Sequence, residues 1–202
     1  MRSTLRKFDW GFGSVVVVAV ALLVFSTGLR GSDYASVPEA AFLSLGRYTN
    51  GFFGFSLSLP PDPTFNVARV SSLPGIRNAH ALLGLGKQEG NTTFVISARQ
   101  MMPDDAEKLM RAAPSIRIHG KEFSKGTSQQ KGPTGTMWKA MYLTVANQFL
   151  LEFEIQSLDP KLATELEHCV EDTNFFDPAK AREIAGPNGK PYNPLLLPSS
   201  KN

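Results

Sequence analysis

The chain has 202 residues, a formal net charge of +3, 42% hydrophobic residues and a single cysteine, Cys169. Residues 1–28 hold three basic residues and one acidic residue, so the remainder is close to neutral and lacks the basic surface that nucleic-acid binding requires. A single cysteine also excludes an intramolecular disulfide, even in an oxidising compartment.

The first predicted element is the apolar run Val15–Phe25, which follows a basic N-terminus and is followed by Ser26, Thr27 and Gly28. This order is typical of a segment that directs export across a bacterial membrane. The run has the length of a signal-peptide core, and its flanks extend it to a marginal transmembrane length. Residues 1–28 are therefore interpreted as a signal peptide or a signal anchor. Either reading places the rest of the chain outside the cytoplasm, in the periplasm or tethered to the inner membrane.

Residues 29–47 contain glycine, serine and proline and are predicted to be a linker with at most a short helical turn. The ordered domain is expected to cover residues 48–180. From Gly51 onward, apolar and polar residues alternate until Pro60, which predicts a half-buried strand that ends in a proline turn. A second strand is predicted over Phe65–Val70.

The next elements predict a hairpin and a short helix. The apolar stretches His80–Gly86 and Thr92–Gln100 flank a polar, glycine-containing loop, so we expect them to pair antiparallel. A helix is expected to begin at Pro103, with two acidic residues in its first turn, and to end before Pro114. A further strand is expected around Ile116–Ile118.

The second half of the domain ends in a hairpin and a helix. Residues 125–135 are rich in glycine, serine, threonine and glutamine and are predicted to be a polar loop. The runs Met137–Val145 and Phe149–Ser157 predict a tight hairpin, and Asp159 with Pro160 predicts the start of a helix that continues to about Asp172. Cys169 lies on the apolar face of this helix and is expected to be buried. These elements predict an α+β domain with an antiparallel sheet flanked by helices.

Two stretches resemble the PsbP-like family, which comprises extrinsic photosystem II proteins and exported, non-photosynthetic relatives. Residues 48–63 (YTNGFFGFSLSLPPDP) resemble its first strand. Residues 141–176 (MYLTVANQFLLEFEIQSLDPKLATELEHCVEDTNFF) resemble its last hairpin and final helix, with Asn174 and Phe175 in place of a Ser-Phe pair. The resemblance implies an α-β-α sandwich that serves as a binding or assembly module, with no common catalytic residues to transfer.

Sequence motifs for catalysis, cofactors or metals do not stand out. The histidines at 80, 119 and 168 lack metal-ligand spacing, and the glycine pairs lack the context of a phosphate-binding loop. We therefore predict no catalytic, cofactor-binding or metal-binding residues, and a non-enzymatic function. The alternative is a small-ligand-binding protein or hydrolytic enzyme with a pocket between the sheet and the helices.

Candidate partner contacts come from one strand and from the C-terminal tail. Strict alternation would place Phe52 on the opposite side of its strand from Phe53 and Phe55. The proline-rich tail, residues 181–202, carries Tyr192 and Leu196 as apolar side chains. Phe52, Tyr192 and Leu196 are therefore the predicted contacts for a protein partner in the cell envelope, and residues 1–28 would contact the inner membrane if they are retained.

Overall fold

The computed structural model describes residues 36–62, 64–67, 79–88 and 91–194. Within them, two antiparallel sheets and three α-helices form an α+β domain, which confirms the predicted class but replaces the single expected sheet with two. The predicted signal or anchor segment lies outside the described residues, as do residues 68–70 of the second predicted strand. None of the helices in the described ranges has the length and apolar character needed to cross a membrane.

In chain order the elements are β1 (Ala41–Ser44), β2 (Arg47–Asn50), β3 (Phe55–Ser58), β4 (Asn66–Val67), β5 (Ala79–Lys87), β6 (Thr92–Gln100), α1 (Pro103–Met110), β7 (Ser115–Ile118), β8 (Lys121–Gly132), β9 (Gly135–Ala146), β10 (Phe149–Ser157), α2 (Pro160–Glu171), β11 (Asn174–Phe175), a 3₁₀ turn (Pro178–Lys180), α3 (Ala181–Ala185) and β12 (Lys190–Tyr192). The hairpins β5–β6 and β9–β10, and the helices α1 and α2, confirm the corresponding predictions.

The five-stranded sheet joins the two ends of the described chain in the order β11-β3-β2-β1-β12. Residues 41–47, which we predicted to be linker, form β1 and begin β2, and part of the predicted tail forms α3 and β12. Ala41 pairs with both Asn50 and Tyr192, so β1 is stabilised by strands on either side. Strands β1 (AFLS) and β12 (KPY) are short and show no alternation of apolar and polar residues, which explains why the sequence did not indicate them.

The seven-stranded sheet has the order β4-β5-β6-β10-β9-β8-β7. Its strand β8 contains most of residues 125–135, which the sequence predicts to be a loop. Glycine, serine and glutamine have low strand propensity, but each residue from Ser124 to Gly132 pairs with β9. Pairing with a neighbouring strand therefore overrides the local preference, and residues 130–132 and 135–137, beyond the end of β10, form a short two-stranded ribbon.

The core lies between the two sheets and α2. The ring of Phe153 in β10 lies 5.7 Å from that of Phe55 in β3 and 5.9 Å from that of Phe123 in β8, measured between centroids. The hydroxyl of Tyr48 donates to the carbonyl oxygen of Leu82 at 3.1 Å and so links β2 to β5. Helix α2 begins where the Asp159 carboxylate accepts the Lys161 N–H, as predicted, and it packs on β9 and β10.

Candidate functional site

A groove of about 1260 Å³ opens on the face of the seven-stranded sheet that bears α1. We call it the methionine groove, because three of the six methionines of the chain line it: Met101, Met102 and Met110. The side chain of Met102 is 70% exposed, and that of Val145 on the facing strand is 38% exposed. Large apolar side chains left open to water in a concave surface are characteristic of binding sites for apolar ligands or protein segments.

Helix α1 leaves the groove open because it meets the sheet through small side chains. Ala106 is its buried residue, and Ala113, just beyond its C-terminus, lies 3.8 Å from the position that a Cβ on Gly126 would occupy. Met102 is the N-cap residue but makes no side-chain capping hydrogen bond. Its side chain is therefore free to line the groove, and the Pro103 ring sets the first helical turn.

The strand side of the groove follows from alternation along β9. Thr144 and Ala146 are buried in the core, so the side chain of Val145 between them points to the opposite face. Met141 lies on the same face as Val145, four residues earlier, and is also exposed. The apolar surface thus extends along the sheet beyond the groove.

Polar side chains around the groove are paired with one another. Glu107 of α1 accepts a hydrogen bond from Arg111, the C-cap residue one turn later, and Glu122 accepts one from the hydroxyl of Ser115 at 2.9 Å. The ammonium of Lys121 lies 5.4 Å from the centroid of the Phe175 ring. The charges of Glu107 and Arg111 offset each other, and the exposed side chains of Met102 and Val145 suit the groove to apolar groups.

A second cluster of polar groups lies on the opposite face of the sheet, between β8, β9 and α2. The Lys125 ammonium lies 2.7 Å from a carboxylate oxygen of Glu167 and 2.9 Å from one of Glu171. The Tyr142 hydroxyl lies within hydrogen-bond distance of both carboxylates, 3.1 Å from Glu167 and 2.9 Å from Glu171, and shares its single proton between them. Lys125 and Tyr142 each reach both carboxylates of α2, so this cluster attaches α2 to the sheet.

The pKa values in this cluster reflect burial and pairing. Burial opposes the charge of Lys125, but its hydrogen bonds with Glu167 and Glu171 raise its pKa above the ordinary value. Burial similarly acts against ionised Glu171, yet bonds from Lys125 and Tyr142 lower the pKa of that carboxyl. Burial and the adjacent carboxylates raise the pKa of Tyr142 far above its ordinary value. The tyrosine therefore stays neutral as a hydrogen-bond donor, which fits a structural role.

The structure does not bring the predicted contact residues into the groove. Phe52 lies in a turn rather than a strand, half-buried against the rings of Phe53 and Phe149, so alternation does not govern its direction. Tyr192 is only 5% exposed and its ring meets that of Tyr48 edge-on, which corrects the expectation that it offers a surface contact. Leu196 lies outside the described residues.

Cys169 is buried on the core face of α2, as predicted. Burial raises the pKa of its thiol to about 11, so the thiolate is scarce at neutral pH and the side chain acts as a small apolar group. Within the described ranges, no three His, Cys, Asp or Glu side chains come together in a way that could hold a metal ion.

Sequence reasoning missed the methionine groove. The available signal was the clustering of Met101, Met102 and Met110 around the start and end of one short helix. Methionine has a flexible, polarisable side chain, and its accumulation on a surface is typical of binding sites that adapt to their ligand. The helix itself was predicted, but its contact with the sheet through alanines was not.

No family model matches the chain, and no curated protein matches it in sequence. Solved structures that are distantly similar include those of three proteins. A protein from Bacteroides thetaiotaomicron is 12% identical, with a TM-score of 0.45 over 66% of this chain; the match spans 49% of that protein, about half its length. The cyanobacterial PsbP protein (CyanoP) of Synechocystis sp. PCC 6803 is 8% identical, with a TM-score of 0.46 over 66% of this chain and 93% of its own. LpqN of Mycobacterium tuberculosis, described as involved in cell envelope biogenesis, is 12% identical, with a TM-score of 0.39 over 59% of this chain and 82% of its own.

Proposed function

We propose that the chain is a non-enzymatic binding or assembly module of the bacterial cell envelope, and that the methionine groove receives an apolar segment of a protein partner. The observation that carries this proposal is the exposure of Met102 and Val145 on facing walls of one open groove. Covering a water-exposed apolar groove with a complementary apolar surface is favourable by roughly 25 cal/mol for each Å² of apolar surface that is buried.

The polar groups beside the groove support binding over catalysis. Catalysis needs a nucleophile or base aimed at a common point, with donors placed to stabilise developing charge. Here Glu107 is paired with Arg111, and Glu122 is hydrogen-bonded to Ser115. Because these polar groups bond to each other, the apolar side chains are the principal recognition surface of the groove.

Membership of the PsbP-like family is part of the proposal and rests on the sequence stretches 48–63 and 141–176. The two stretches meet in the fold, because β11 pairs with β3 with Phe175 opposite Phe55. They therefore form one continuous structural unit although about 80 residues separate them in the sequence. The α-β-α sandwich of that family is the architecture we propose for the seven-stranded sheet between α1 and α2.

The proposed location is outside the cytoplasm, because the basic and apolar residues before residue 29 have the order of an export segment. Protease added to spheroplasts is expected to digest the full chain, whereas protection until the membrane is lysed would contradict export. The mass of the mature protein separates the two forms of export, since a retained N-terminus identifies an anchor and a shortened chain identifies a cleaved signal.

The binding proposal is tested by affinity purification from the detergent-solubilised envelope fraction with three forms of the full chain: wild type, Met102→Asp and Leu45→Asp. Aspartate is a favourable N-cap residue, so Met102→Asp charges the groove without weakening α1. Leu45 is fully exposed on the β1–β2 turn and provides the matched control.

We expect one protein to be recovered equally with wild type and Leu45→Asp, and about tenfold less with Met102→Asp, which corresponds to roughly 1.4 kcal/mol of lost binding. Equal recovery with all three forms would contradict docking in the groove. A bound compound below about 1 kDa that is lost only from Met102→Asp would favour the small-ligand alternative.

A further inference from the structure

Strand β8 is paired on only part of one side. On that side, β7 pairs with Lys121–Ser124, whereas β9 pairs with β8 on the other side as far as Gly132. Among the residues that the structure describes, no strand lies beside residues 126–132 on the β7 side. We call these seven residues, Gly-Thr-Ser-Gln-Gln-Lys-Gly, the free edge of β8. An open edge of this kind is a template for pairing with another strand.

The backbone groups that face outward can be identified from one hydrogen bond. The Lys125 N–H donates to the Pro114 carbonyl oxygen at 2.9 Å, which places its peptide groups on the β7 side. Alternate residues of an antiparallel strand point their N–H and C=O groups to the same side. The N–H and C=O groups of Thr127, Gln129 and Lys131 therefore face the free edge.

These groups are complementary to a second copy of themselves. An antiparallel pair of free edges related by a two-fold axis at Gln129 sets Thr127 opposite Lys131 and Gln129 opposite itself, and all six outward groups then exchange hydrogen bonds. A shift of two residues in one direction sets Lys125 against Lys131, two like charges. A shift in the other direction brings in Pro133, which has no N–H to donate. One register is therefore favoured.

Charge also favours this register. Thr127 lines a recess of about 410 Å³ together with Glu167 of α2. The cluster at this recess holds two carboxylates, Glu167 and Glu171, against one ammonium, Lys125. In the symmetric pair, Lys131 of the second copy lies opposite Thr127 on this same face, where its positive charge meets the excess negative charge of the cluster.

We propose that the chain forms a two-fold symmetric homodimer in which the free edges of β8 from two copies pair about Gln129. The two seven-stranded sheets then continue as one sheet across the dimer, and the exposed polar ribbon is covered by an identical strand. This association is separate from the methionine groove, so Met102→Asp is expected to leave the dimer unchanged.

Cysteine cross-linking of the full chain in the cell envelope tests both the association and its register. Gln129→Cys lies opposite its own copy, at a Cα separation of about 5.5 Å that suits a disulfide. We expect mild oxidation to give a cross-linked dimer with Gln129→Cys. In the same register position 128 of one copy lies opposite position 130 of the other, so a mixture of Ser128→Cys and Gln130→Cys chains should also cross-link. Each of these two variants alone should give little cross-linked dimer. The wild-type chain supplies the baseline because Cys169 is buried.

Lysine substitutions test the same dimer without oxidation. In the dimer, Gln129→Lys sets two lysines opposite each other. Gln130→Lys is the matched control, because the lysine at position 130 lies opposite the neutral Ser128 of the other copy. We expect Gln129→Lys to dimerise up to about fivefold more weakly than Gln130→Lys in sedimentation of the full chain in detergent. A monomeric wild type, equal dimerisation of the two lysine variants, or equal cross-linking from positions 128, 129 and 130 would overturn the proposal.

Discussion

Replacement of Lys125 by methionine is expected to destabilise the domain in a way that depends on pH. Methionine retains an unbranched apolar side chain over the Tyr142 ring but removes the ammonium that bridges Glu167 and Glu171. The side chains of Lys125 and Glu167 are 25% and 24% exposed, and that of Glu171 is 37% exposed. A charge-assisted hydrogen bond contributes about 1.5–3 kcal/mol when buried, and the more exposed pair with Glu171 contributes less. The expected loss is therefore about 2–3 kcal/mol at pH 7.

The pH dependence follows from the directions of the pKa shifts. Glu171 has a lowered pKa, so its contribution to stability is present above its unfolded-state pKa and is lost as the pH falls through its lower folded-state pKa. Lys125 has a raised pKa, so its contribution is present below its unfolded-state pKa and is lost as the pH rises through the folded-state value. The cluster therefore stabilises the fold at neutral pH. The loss of unfolding free energy caused by Lys125→Met should therefore be smaller at acid pH, where Glu167 and Glu171 are protonated and no longer repel each other.

The assay is urea unfolding followed by circular dichroism at pH 7 and at about pH 3.5, with Lys139→Met as a control for loss of a lysine elsewhere on the sheet. We expect the difference in unfolding free energy between wild type and Lys125→Met to fall by at least half at the lower pH, while the control changes by less than about 0.5 kcal/mol at both. An equal loss at the two pH values would refute the electrostatic explanation and assign the effect to packing.

Three further predictions concern the backbone and the buried thiol. Gly54→Ala should lower the unfolding free energy in urea by about 2–4 kcal/mol, because φ is +64° and a Cβ would lie 2.3 Å from the Phe176 carbonyl oxygen. Gly46→Ala is the control: φ is +71° there but the space is open, so the loss should be only about 1 kcal/mol. Equal costs would contradict the close approach. Gln148→Gly should raise the unfolding free energy by about 0.5–1 kcal/mol because φ is +65° there, and an unchanged midpoint would argue against strain. Cys169 should react with a thiol reagent at pH 8 only after unfolding, and rapid reaction of the folded chain would contradict its burial.

The elements that the sequence predicts well are long, alternating and close together in the chain. Phe149–Ser157 forms β10 with the predicted bounds, because alternate side chains enter the core over nine residues. The turn before it also follows from local chemistry, since Asn147 and Gln148 take φ of 49° and 65° in a two-residue hairpin turn.

The elements that the sequence predicts poorly depend on distant partners. Strand β12 forms because Tyr192 pairs with Ala41, about 150 residues earlier, and local composition carries no sign of this contact. In the same way, β8 has a loop-like composition but is held extended by β9. The methionine groove depends on how α1 packs on the sheet, where Ala106 is buried and Ala113 approaches Gly126 of β8.

Site-specific photo-crosslinking in growing cells is the most direct test of partner docking in the methionine groove. The full chain would carry a photoreactive amino acid at position 102 or, as a control, at position 45. We predict one discrete protein adduct from position 102, absent from position 45 and abolished when Val145→Glu is added to the chain. Adducts of equal yield from both positions, or no protein adduct from position 102, would contradict the proposal that this groove is the binding site.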